Sequence, residues 1–86
     1  MYSARFGKFV IVTDHARARM DERQVTEAQL LEIVETGDIR RVDDDHMFLY
    51  KRIATRRDNL VCAAVVEESR LVVKTVMVNW TRRGQL

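Results

Sequence analysis

Thr26-Glu27-Ala28-Gln29-Leu30-Leu31-Glu32-Ile33-Val34-Glu35-Thr36-Gly37-Asp38-Ile39-Arg40-Arg41-Val42 decides the fold class, because the hydrophobic period changes inside it. Up to Gly37 the apolar residues Leu30, Leu31, Ile33 and Val34 recur at helical spacing and form one face. Thr26 and Gln29 make a capping box and Val25 can staple the start of the helix. Gly37 is expected as a left-handed terminator just past its end. Beyond it the period becomes two. Residues 39–42 read as a short strand, Asp43-Asp44-Asp45-His46 as a polar turn, and residues 47–52 as the hairpin partner.

Upstream, residues 9–12 are a β-branched apolar run and predict a first strand. Thr13 or Asp14 then caps a first helix that reaches about Arg23, with Ala16 and Met20 on its buried side. Downstream, residues 53–59 form a basic loop. Residues 60–66 are nearly all apolar, as in a central strand covered on both faces. In residues 71–78 Lys74 interrupts the apolar pattern, so that strand has a partly open face or lies near an edge. The expectation is a single α+β domain over residues 1–86, ordered β-α-α-β-β-β-β. Two N-terminal helices pack on a curved, mainly antiparallel sheet of four to five strands, and the four C-terminal strands, joined by short connections, each lie beside the next.

The chain is 47% apolar and 33% charged, the balance of a globular domain. No apolar run approaches the roughly 18 residues that span a bilayer. Residues 1–8 lack the features of a secretory signal, so no membrane role and a cytoplasmic address are expected. Cys62 is the one cysteine, which excludes an intrachain disulfide and a cysteine-based zinc site; no cofactor is expected. The net charge of +2 hides a segregation: residues 1–20 balance at +3, residues 21–45 at −6 and residues 46–86 at +5. Arginine outnumbers lysine twelve to three. Arginine is the better bidentate partner of phosphate, and a GC-rich coding sequence accounts for the bias equally well.

His15, Arg19 and Arg23 stand four residues apart on the first helix, along one stripe with about 6 Å of rise between neighbours. A titratable imidazole beside two guanidiniums suits an anion, and a phosphodiester in particular. The same stripe is also what an ordinary solvated helix face looks like, with Arg19 paired to Glu22.

The string His15-Ala16-x-x-Arg19-Met20-x-Glu22-Arg23, followed by a helix opened by Thr26, by Gly37 and by a strand-rich tail ending in Val-Lys-Thr-Val, resembles the domain of unknown function 4258 family over roughly residues 12–78. That family is similar to the RelE-like and barnase/EndoU/colicin-type ribonuclease folds. The resemblance implies a metal-independent endoribonuclease of toxin type. His15 would then handle the 2′-hydroxyl proton while Arg19 and Arg23 stabilise the phosphate. An antitoxin or another protein partner, and oligomers, belong to the same implication. Gln24 stands where the family usually has glycine, so the turn between the helices must tolerate a side chain.

Lys51, Arg52, Arg56 and Arg57, on and beside the basic loop, are expected to contact an RNA backbone. Trp80, with Arg82 and Arg83, offers a stacking platform beside two cations; its alternative is to close the core. Asp43-Asp44-Asp45-His46 reads as a hairpin turn rather than a metal site, since consecutive side chains diverge. The leading expectation is RNA interaction, with endoribonuclease activity as its sharper form. The alternative is a non-catalytic protein-interaction module or small partner subunit.

Overall fold

A computed structural model describes residues 1–80. The elements are β1 (Tyr2–Ser3), β2 (Lys8–Val12), α1 (Asp14–Arg23), α2 (Glu27–Thr36), β3 (Asp38–Arg41), β4 (His46–Lys51), β5 (Val61–Glu67) and β6 (Leu71–Val78). They build one six-stranded sheet in the order β1-β2-β6-β5-β4-β3. The α+β class and the two-helix order agree with the sequence reading. The strand count does not, because β1 adds a short edge strand. β2 pairs with β6 in parallel, and the other pairings are antiparallel.

β1 is held by partners more than thirty positions away. Glu35, near the end of α2, accepts a hydrogen bond from the Ser3 hydroxyl and another from the Ala4 N–H at 2.7 Å. Arg5 donates to the Gly37 carbonyl at 2.7 Å, and Gly7, at φ +65°, turns the chain back into β2. These contacts hold the Glu35 carboxyl below its usual range: the Ser3 bond lowers it most, burial opposes, and the backbone bonds add to the lowering.

Both helices begin as their sequences dictate. Thr13 caps α1 by accepting from the Ala16 N–H at 3.1 Å, and Thr26 and Gln29 close a reciprocal box on α2. Ala16 and Met20 of α1, and Leu30, Ile33 and Val34 of α2, pack against Met47, Leu49, Val61, Ala63, Val65, Val73 and Val76 of the sheet. Leu31 is half-buried on the flank of α2. Gln24 occupies the left-handed region (φ 55°, ψ 41°) and ends α1.

Gly37 departs from expectation. Its backbone is extended, with φ −73° and ψ 167°, so it is not a left-handed cap. Glycine is required for a different reason: an added Cβ would lie 2.5 Å from the Ile33 carbonyl oxygen and 2.8 Å from that of Tyr50. The chain leaves α2 too close to β4 for any side chain.

Lys74 is the extra residue of a β-bulge. Val65 pairs with Val73 and Ala64 with Thr75, leaving Lys74 opposite nothing. β6 is not an edge strand, since it lies between β2 and β5; the open position expected at Lys74 is the exposed bulge itself. β5 is central as well, but only its helix-facing side is fully covered. On the opposite side Cys62 is buried while Ala64 and Val66 are half-exposed.

Candidate nucleic-acid interface

α1 lies against β6, and the three residues of its stripe do separate things. Arg23 donates to the Val76 carbonyl at 3.2 Å, beyond Val73, the last β6 residue that β2 pairs with. Arg19 pairs with Glu22 one turn away, at 2.7 Å. His15 is exposed and has no hydrogen-bond or ion-pair partner among the described residues. Neither Tyr50 nor His46 stands opposite it as a second acid–base group. Both belong to β4, which β5 separates from the strand that α1 packs on.

The basic loop divides in two. Arg56 grips both carboxylate oxygens of Asp58 at 2.8 Å and also donates to the carbonyls of Gln24 and Arg23 at 2.8 and 2.9 Å and to Gln29 at 3.2 Å. It thereby satisfies carbonyls left orphaned at the end of α1. The Arg56 bond holds the Asp58 carboxyl below its usual range against the opposing effect of burial, and the same bond raises Arg56. Lys51 is tied to α2 through Thr36 at 2.7 Å and Glu32 at 3.0 Å. Arg52 and Arg57 are exposed and have no such partners among the described residues.

The structure also brings together residues that the sequence reading left apart. Strand alternation sends Met47 and Leu49 to the helices, so His46, Phe48 and Tyr50 face the other way, opposite Val66, Ala64 and Cys62 of β5. Trp80 lies over this helix-free face, with its ring centroid 5.4 Å from Phe48 and 5.0 Å from Tyr50. It does not close the helix-facing core. Cys62 sits beside Tyr50 in the register, and burial pushes its thiol up to about 12, which makes it inert near neutrality. Arg82 and Arg83 lie outside the described residues.

Two clefts of about 410 Å³ open on this face. One is lined by Arg40, Arg41, Val42, Phe48 and Trp80. The other shares Val42 and Phe48 and adds Asp43, His46, Ala64, Val66 and Lys74 among others. Arg41 is committed to Glu67 at 2.6 Å, whereas the side chains of Arg40 and Lys74 have no hydrogen-bond or ion-pair partner among the described residues. A third cleft, between the helices, is lined by Arg17, Met20, Asp21 and Thr26 among others. None of the three clefts is lined by His15, Arg19 or Arg23. Of the expected catalytic and RNA-binding residues that are described, Trp80 alone lies in one of these three clefts. Phe48 and Arg40 were missed, although the alternation of residues 46–50 already placed Phe48 and Tyr50 on a common face.

Asp43 organises its hairpin turn. Its Oδ1 accepts from the N–H groups of Asp45 and His46, at 2.9 and 2.8 Å, and from His46 Nδ1 at 2.8 Å. The His46 side-chain bond is the largest cause of a lowered Asp43 carboxyl. Among the described residues no three His, Cys, Asp or Glu side chains are grouped to hold a metal.

Fold and surface together define a small two-helix α+β domain with one sheet face that neither helix covers. The family described as "Domain of unknown function (DUF4258)" matches residues 12–78, and the chain belongs to it. Trp80 falls just beyond the matched region. No curated protein and no solved structure matches the chain. No helix among the described residues is long and apolar enough to cross a membrane.

Proposed function

We propose that this protein binds single-stranded RNA across its helix-free sheet face. The observation that carries the reading is the cleft in which Trp80 and Phe48 present aromatic surface beside the Arg40 guanidinium, which has no ion-pair partner among the described residues. An unstacked base finds a ring to lie on, and its phosphate finds a cation. Arg52 and Arg57, exposed on the loop between β4 and β5, are the further cations that this reading assigns to the RNA backbone. Each base stacked on an aromatic side chain contributes about 1–3 kcal/mol, with little dependence on sequence. RNA as partner, and a cytoplasmic setting, belong to this proposal.

Trp80 is the one tryptophan of the chain, so its fluorescence reports on the site directly. Titration with single-stranded RNA in low salt should quench it, and affinity should fall steeply as salt rises, because binding releases counterions. Trp80→Ala, followed by anisotropy of labelled RNA, should weaken binding about 5- to 100-fold. Unchanged affinity, or no binding at about 50 mM salt, would sink the proposal. The protein-module alternative would then take its place, supported by the exposed apolar side chains of Tyr2, Phe9 and Ile11. Endoribonuclease activity with His15 as base is the finer reading that the family resemblance implies. It requires cleavage that survives EDTA, leaves 2′,3′-cyclic phosphate ends and is lost in His15→Ala. RNA bound and left intact makes the protein a binding module.

A further inference from the structure

We infer that the second cleft on the sheet face is an adjoining base subsite, which selects a base bearing an exocyclic amino group. The inference rests on the RNA-binding reading and adds selectivity to it. The two clefts share Val42 and Phe48, so ligands filling both are immediate neighbours. Phe48, Ala64 and Val66 give the second cleft an apolar lining suited to the flat surface of a ring. Lys74, placed there by the bulge in β6, supplies a cation for the adjacent phosphate.

Of the polar groups lining this cleft, Asp43 and His46 form a pair whose mutual hydrogen bond sets the sense of their remaining atoms. Asp43 Oδ1 already accepts three hydrogen bonds, one of them from His46 Nδ1. An ionised carboxylate can only accept, so Nδ1 carries the proton of that bond, and in a ring with a single proton Nε2 is then an acceptor. Asp43 Oδ2 receives no hydrogen bond among the described residues. Asp43 and His46 therefore offer acceptors to the cleft. The N4 amino group of cytosine and the N6 amino group of adenine each bring two N–H donors to such a site. Uracil presents a carbonyl oxygen where cytosine has its amino group, so an acceptor would face acceptors and the pairing fails.

The test is a tryptophan-fluorescence titration of the full chain with short oligocytidylate and oligouridylate at about pH 8 and low salt. The wild type should bind oligocytidylate about tenfold more tightly, within the range that a pair of base contacts supplies. Asp43→Asn keeps Oδ1 for the turn but puts an N–H₂ donor where Oδ2 stood, so the preference should reverse toward uracil. His46→Phe, at an exposed position, keeps a ring and removes Nε2; it should narrow the preference even if the asparagine variant folds poorly. Equal wild-type affinity for the two oligomers would overturn the inference, as would an undiminished cytosine preference in both variants. Failure to bind either oligomer would remove the RNA reading itself, which is a separable result.

Discussion

Replacing Gly37 distinguishes two reasons for having a glycine, and the structure says which applies. A left-handed cap would tolerate asparagine and penalise alanine by about 1 kcal/mol, because asparagine enters that region readily. Gly37 is extended, so backbone conformation places no demand on it. The obstacle is the Cβ, which would stand 2.5 and 2.8 Å from two backbone oxygens, both inside the 3.0 Å that Cβ atoms essentially never cross. Those oxygens belong to the last turn of α2 and to β4, neither of which can swing aside as a side-chain tip would. Overpacking of this kind costs about 1–3 kcal/mol. Displacing the Ile33 carbonyl also strains the 2.8 Å bond that it accepts from the Gly37 N–H, worth about 1 kcal/mol more. Gly37→Ala and Gly37→Asn should therefore lose similar amounts, about 3 kcal/mol each, read as lowered midpoints in urea unfolding. In a domain of this size the loss lowers Tm by more than about 10 °C. A well-tolerated asparagine beside a damaging alanine would refute the steric argument and restore the left-handed one.

Gln24 carries the conformation that Gly37 lacks, so Gln24→Gly should stabilise the protein by about 0.5–1 kcal/mol in the same assay. Arg56→Ala strips partners from two helix-end carbonyls and from Asp58, and should cost about 2–3 kcal/mol of stability. Arg57→Ala should leave unfolding unchanged and reduce the slope of log affinity against log salt by about 0.7, the loss of one phosphate contact to a single strand. Glu35 has a folded-state value below its unfolded one, so its contribution is complete above the ordinary glutamate range, about 4.3. That contribution is lost as pH falls through the lowered folded value. Urea midpoints should drop on acidification below about pH 4, and Glu35→Gln should flatten the drop.

What the sequence by itself determined is what neighbours within one turn or one strand determine. Thr13, and Thr26 with Gln29, cap their helices through bonds spanning three residues, and the change of period after Gly37 separates helix from sheet. The His15, Arg19 and Arg23 stripe was legible as a helix face, yet the structure gives each member a different surrounding. Only tertiary structure decided that Glu35 would anchor β1, that Arg56 would be spent on the end of α1, and that Lys74 would fall in a bulge. Those partners lie tens of positions apart, and nothing in a local pattern ranks one distant carboxylate or carbonyl above another. The candidate site belongs to this second group. Alternation placed His46, Phe48 and Tyr50 on one face of β4, but which face the helices cover depends on how two amphipathic helices dock. Burying Leu30, Ile33 and Val34 against Met47 and Leu49 left the aromatic side open, and Trp80 settled on it.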